Sequence, residues 1–227
     1  MKVVRAFPWQ SNDQQDPIVK DTLIIGGHKK IYEDLLQCLK SADIATSARH
    51  LDLALNAKGE AEVPFFGTTY LVSHEGVRRA DEKRFSDAIA SALIHYILKG
   101  SDCRSKGQFV TLAQLAGPLF EHSSYAQSAL ERPIVKRFQT KIHELLTIAA
   151  SVGGHPGGEA GLGAVSLIFN LLPHIPIQLI FYDRDDEFPA RATLLFDRNA
   201  TQFIDFEVLA VAVTVFVRFL TKDQPER

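Results

Sequence analysis

The chain of 227 residues holds only two cysteines, Cys38 and Cys103, far apart and in no motif. A disulfide framework is therefore not expected. An iron–sulfur cluster held by this chain alone is not expected either, since it takes about four cysteine ligands. Each cysteine reads as a small apolar residue, and two lone thiols suit a reducing cytoplasm. Long apolar runs are also lacking. The longest, Val208 to Val217, is interrupted by Thr214 and falls well short of the ~20 residues that span a bilayer. At the start, Met1 to Arg5 leads into Phe7-Pro8-Trp9 and a polar run to Asp16, with no apolar segment of the secretory kind. Without secretion the sequon Asn199-Ala200-Thr201 carries no meaning. The expectation is a cytoplasmic protein with no membrane partner.

A surplus of one charge is missing too. Lys and Arg total 25, Asp and Glu 27, for a formal net charge of -2. Nucleic-acid binders draw affinity from neutralising phosphates and usually show a basic excess, so no nucleic-acid partner is expected. The groups Lys136-Arg137 and Lys99, Arg104, Lys106 read as solvated helix and loop charges. Catalytic signatures are absent as well. None of the eight histidines stands in an H-x-x-x-H or H-E-x-x-H pattern, so zinc has no support. There is no G-x-S-x-G elbow, and neither cysteine has the flanks of a thiol nucleophile.

What is present is an ordinary globular composition, 46% hydrophobic and 23% charged, which excludes a collagen-like or disordered chain. No Pro/Gly/Ser-rich linker divides the middle. The chain reads as an N-terminal arm over 1–22 and one α+β domain over 23–227. After the apolar run Leu23-Ile24-Ile25 and Gly26-Gly27, a helix is expected from His28 to Lys40, with Ile31, Leu35, Leu36 and Leu39 on its apolar face. Alternation at Leu51, Leu53 and Leu55 suggests a strand. The turn Asn56 to Gly59 leads to a return strand, Val63 to Phe66. Gly67 breaks it, and Thr69 to Ser73 makes a third strand before the turn His74-Glu75-Gly76.

Phe85, Ile89, Ala92, Leu93, Tyr96 and Ile97 form one helical stripe, and Gly100 stands where a C-terminal cap belongs. Phe109 to Thr111 is expected to be extended, with a short helical turn after it. Tyr125 to Ala150 reads as helix broken or kinked at Pro133. The glycine-rich stretch Gly153 to Gly163 reads as a flexible connector. Ala164 to Leu171, Ile175 to Tyr182 and Ala190 to Phe196 are expected strands around the charged turn Arg184 to Glu187. Asp197 would cap a helical turn to Phe203, and Asp205 a last helix to Leu220, although its valines leave strand open. The fold class is α+β, with a mostly antiparallel sheet from two strand groups, about 51–73 and 164–196, packed with helices. Whether the two groups join is left open.

Several segments are candidate sites. Backbone N–H groups of glycine loops can cradle anions, which makes Gly157 and Gly158 binding candidates. Yet the loop follows a helix and precedes a strand, the reverse of a phosphate cradle. Gly26-Gly27-His28-Lys29 has the right order but is too short to be specific. Asp183, Asp185, Asp186 and Glu187 carry oxygens that suit a divalent cation. The calcium-loop glycine is replaced by Phe188, so a solvated hairpin tip is the plainer reading and no metal site is assigned. His95 and His155 are weak candidates for an acid or base.

One segment resembles a known family. Residues 172–196 read Leu-Pro-His-Ile-Pro-Ile-Gln-Leu-Ile-Phe-Tyr-Asp-Arg-Asp-Asp-Glu-Phe-Pro-Ala-Arg-Ala-Thr-Leu-Leu-Phe, followed by Asp197. With Ile94-His95-Tyr96-Ile97-Leu98, Phe109 to Leu112 and Gly117-Pro118-Leu119-Phe120, this resembles domain of unknown function 3786. The likeness spans about residues 50–220 and is tightest at 172–197. It implies a bacterial or archaeal setting, mostly anaerobic, and no assigned activity. Some members carry or neighbour cysteine-rich domains of iron–sulfur or corrinoid type. This chain has no such segment, so any cofactor of that kind would come through a partner. Pro173, Pro176 and Pro189 have structural readings at strand ends and edges.

The leading expectation is a cytoplasmic binding or accessory protein, without a cofactor of its own, that serves a protein partner and lacks catalysis. One alternative is an enzyme on a small anionic substrate, using His95 or His155 with the acidic turn 183–187. Another is a structural subunit of a homo-oligomer, suggested by 15 phenylalanines.

Overall fold

A computed structural model describes residues 32–116 and 124–222 of the chain. The arm over 1–22, the Leu23 to Lys29 segment, the start of the first helix and Gly117 to Phe120 lie outside the described residues. The first helix, α1, is seen over 32–39. Its Leu39 is fully buried, as the helical spacing requires.

A helix that alternation does not show comes next. α2 spans Ile44–His50, and the Asp43 carboxylate accepts the Thr46 N–H at 3.0 Å as its N-cap. Leu51 closes that helix instead of opening a strand. The expected strand over 51–55 shrinks to β1, Ala54–Leu55. β2 (Ala61–Phe65) and β3 (Thr68–Ser73) follow as expected, and a fourth strand, β4 (Gly76–Arg79), completes an antiparallel meander in the order β1-β2-β3-β4. The charged pair Arg78-Arg79 disguises β4. Arg78 grips Glu60 through two bonds of 3.0 and 2.6 Å, and Asn56 Nδ2 adds a third of 2.7 Å. Held mainly by the Arg78 guanidinium, the Glu60 carboxyl falls from its usual 4.5 to about 2.

α3 (Asp87–Lys99) buries the predicted stripe and ends on Gly100 in the left-handed region, φ +48. A Cβ there would lie 2.6 Å from the Ser47 hydroxyl, so glycine is needed for conformation and for space. β5 (Phe109–Val110) and α4 (Leu112–Ala116) follow. α5 (Ser124–Phe138) continues as helix through Pro133. The break expected there comes instead at Gln139 to Lys141, where Thr140 takes φ +63, before α6 (Ile142–Ser151).

The second sheet holds β6 (His155–Pro156), β7 (Ala164–Leu172), β8 (Ile175–Tyr182) and β9 (Arg191–Asp197), with β5, in the order β5-β9-β8-β7-β6. All its pairings are antiparallel, and the two strand groups form two sheets, not one. One face carries Leu167, Phe169, Ile177, Leu179, Phe181, Leu194 and Phe196, all buried. α7 (Ala200–Phe203) is one turn, and α8 (Phe206–Thr221) is helix despite its valines. Burial overrides strand propensity here: Phe216 of α8 meets Phe169 of β7 at 4.9 Å and Phe66, beside β2, at 5.1 Å. One buried cluster runs from Leu39 to Leu220 and draws on both sheets. No helix among the described residues is long and apolar enough to cross a membrane.

Candidate functional site

The β7–β8 hairpin gives the large sheet two distinct ends. At the turn end, Pro173-His174 link the strands, with His174 at φ +67. Tyr96 of α3 donates to the Pro173 carbonyl at 2.5 Å. Burial, and then the Asp52 charge, push the Tyr96 phenol above its usual range. The His174 ring stacks on Phe203 at 5.5 Å. Its Nε2 lies 3.3 Å from Asp52 Oδ2, within ion-pair reach but outside hydrogen-bond geometry. Arg104 approaches the same Asp52 oxygen at 3.4 Å and donates to the His50 carbonyl at 3.1 Å.

Nearby, the Asp205 carboxylate turns away from its expected capping role. It takes Lys99 Nζ at 2.6 Å and His95 Nε2 at 3.1 Å, and no side-chain cap bond forms on α8. Lys99 above all holds the Asp205 carboxyl below the usual carboxylate range. His95 Nδ1 is buried without a hydrogen-bond partner. His95 thus sets Nε2 on Asp205 and keeps Nδ1 buried. Asp197, fully buried, receives the N–H of Lys106, Gly107 and Asn199 at 3.0, 2.7 and 2.8 Å. It anchors the 100–108 loop as well as the turn it was expected to cap.

The glycine-rich stretch is not a loose connector. Gln178, buried on β8, donates to the Glu159 carbonyl at 2.7 Å and to Ser166 Oγ at 2.9 Å. Ser166 Oγ donates in turn to the Gly157 carbonyl at 2.5 Å. A Cβ on Gly158 would collide with the Gln178 amide, and one on Gly161 would lie 2.5 Å from the Tyr182 hydroxyl. The glycines allow the loop to lie flat on the sheet. Gly158 thus makes room for the Gln178 amide, Gly157 lies against Ile168, and His155 pairs with Ile168 in the sheet.

At the other end of the hairpin the acidic turn also spends part of its charge locally. Asp183 accepts the Thr140 and Arg184 N–H groups at 2.7 and 2.8 Å. Asp185 accepts those of Glu187 and Phe188 at 2.8 and 2.7 Å, which lowers its carboxyl below the usual range. Asp186 and Glu187 are exposed. No group of three His, Cys, Asp or Glu among the described residues is placed to hold a metal. Nor does the structure bring the histidine candidates to the acids. Tyr96, beside His95, reaches Pro173, while Asp183 follows Tyr182 at the far end of β8, roughly 23 Å along the strand. His155 lies level with Ile168, about four strand positions, roughly 13 Å, from the Ala164–Tyr182 pair.

The acidic turn instead closes one end of an open groove. A depression of about 840 Å³ runs between α5 and the start of β9, lined by Ala129, Glu131, Arg132, Pro133, Lys136 and Arg191 among others. A smaller one of about 310 Å³ over the acidic turn shares Gln139 and Ala190 with it. Arg132, Lys136 and Arg191 are exposed along the rim. Periodicity alone does not show this groove, because it is set by the contact of two elements far apart in the chain.

The family model described as Domain of unknown function (DUF3786) matches residues 43–219. The chain belongs to this family. The DUF3786 match starts at Asp43, the cap of α2, and ends inside α8, so it contains both sheets, both hairpin ends and the groove. No curated protein and no solved structure matches the chain. Within the matched residues, the segment 172–197 divides between the two ends: Pro173-His174 lie in the closed cluster, and Arg184 to Ala190 lie at the groove.

Proposed function

We propose that this DUF3786 protein is a cytoplasmic binding protein that holds part of a partner protein in the α5–β9 groove and performs no reaction of its own. One observation carries the reading. A depression of about 840 Å³ between α5 and β9 is open and apolar-walled with a charged rim, while Asp205, Asp197 and Asp183 accept hydrogen bonds within the fold and His174 lies against Asp52. Such a surface suits a polypeptide better than a small molecule, which is usually enclosed on most sides. The family likeness points to a partner bearing an iron–sulfur or corrinoid group.

The test pairs two measurements. Native mass spectrometry with metal analysis, on protein purified without oxygen, should give the mass of the chain alone. A photo-cross-linker at Arg132 should trap a partner that one at Glu75, on the small sheet, does not. A stoichiometric metal or small molecule, or trapping at both positions alike, would overturn the reading.

A further inference from the structure

Among the described residues, β9 has an open edge. β8 covers its other side from Arg191 to Phe196, while β5 pairs only with Phe196 and Asp197. Two hydrogen bonds show which backbone groups face away from β8. Arg198 N–H donates to the Gln108 carbonyl at 2.8 Å, and Leu194 N–H donates to Glu131 Oε1 at 3.0 Å. In an extended strand alternate residues point the same way, so the Ala192 N–H and C=O share that outward direction. Ala192 opposes Phe181 on β8 and is only 4% exposed, yet among the described residues no hydrogen bond to its outward groups is formed. Buried backbone groups are nearly always paired.

The facing wall is built the same way. Pro133 has no N–H, so the Ala129 carbonyl of α5 lacks the donor that the helix would supply four residues on. Ala129, Pro133 and Ala192 line one depression, and Ala129 is exposed. The proline that leaves α5 unbroken thus frees an acceptor beside the open edge. Above it stand Arg132 and Lys136, with no ion pair among the described residues, and Arg191, whose guanidinium lies 4.6 Å from the Tyr182 ring.

We infer that the groove binds an extended, acidic peptide segment that adds to β9 as a further strand through Ala192, its carboxylates meeting Arg132, Lys136 and Arg191. This rests on the binding reading above and specifies the partner's chemistry. Main-chain pairing supplies affinity in strand addition, and side chains at alternate positions supply selectivity. A second copy paired β9 to β9 fits less well, because it would set the same cations against each other.

The probe is a fluorescein-labelled octapeptide, Glu-Val-Glu-Thr-Glu-Val-Glu-Thr, read by fluorescence anisotropy on the full chain. It should bind saturably and more weakly as salt rises. The same peptide with Lys for Glu should bind about tenfold or more worse, as should the acidic peptide to Arg132→Glu/Lys136→Glu. N-methylation of alternate peptide nitrogens should abolish binding in one of the two registers, and Ala192→Pro, tolerable at an edge, should do the same. Unchanged binding of both N-methylated peptides would overturn strand addition. Equal binding of acidic and basic peptides, or none of either, would overturn the acidic-strand proposal. Partner trapping at Arg132 reports separately on the broader reading.

Discussion

The two ends of the β7–β8 hairpin are built from adjacent stretches of one family segment, and they differ in almost every physical respect. At the Pro173-His174 end, polar groups find partners within the fold: Tyr96 on Pro173, Asp205 on Lys99 and His95, Asp197 on three backbone donors. At the Asp183 end, Leu162 and Phe188 stand 102% and 66% exposed beside acids and an open groove. The contrast separates residues that fasten the fold from residues left for something else. Histidines and carboxylates invite a catalytic reading, yet here those with the most contacts are fasteners. The end with fewer internal bonds is the one to which the proposed partner is assigned.

Four variants would break or sharpen that contrast. Asp197→Ala at the closed end leaves three donors without an acceptor and should cost about 3–5 kcal/mol in urea unfolding. A loss under about 1 kcal/mol would mean that the loop it anchors is not part of the cooperative fold. Glu60→Gln, on the small sheet, calibrates an ion pair remote from both ends and should cost about 1–3 kcal/mol at neutral pH. Because the folded carboxyl titrates near 2 and the unfolded one near 4.5, its stabilisation is present above about 4.5 and disappears as pH falls toward 2. The gap between wild type and variant should close over that interval, and a constant gap would rule out the charge as its cause. Tyr96→Phe strands the Pro173 carbonyl and should cost about 1 kcal/mol by thermal unfolding. Leu162→Ser with Asp186→Asn, at the open end, should shift stability by no more than about 0.5 kcal/mol. A larger loss would show that this end is also a fastener.

Much of the fold was legible because the elements concerned obey one dominant rule. α3 shows a clean apolar stripe with glycine after it, and β7 to β9 show apolar runs around a charged turn. α2 was hidden because its seven residues bury only Ile44 and Ala48, too few to set a period. The signal was its cap, Asp43 three residues before Thr46. β4 was hidden by two arginines, and Pro133 misled because a helix long enough on either side can absorb one lost bond. The closed cluster was half legible. His95 stood out, but Asp205 is 110 positions away and Asp52 and Arg104 join only through the fold. The groove had no linear signature beyond Pro133 and the acidic turn, since a strand's open edge depends on how short its neighbour is.

That short neighbour bears on how copies of this chain treat one another in a crowded cell. Uncovered strand edges invite like to stack on like, the first step toward fibres. Here Glu131 already holds the Leu194 N–H, and Arg132, Lys136 and Arg191 give every copy the same positive border. Repulsion between identical borders guards the edge without closing it. Such a guard is only as strong as the electric field between charges in water, and dissolved salt shortens that field's reach. The protein's resistance to self-association should therefore weaken as ionic strength rises, the reverse of what a purely steric guard would do.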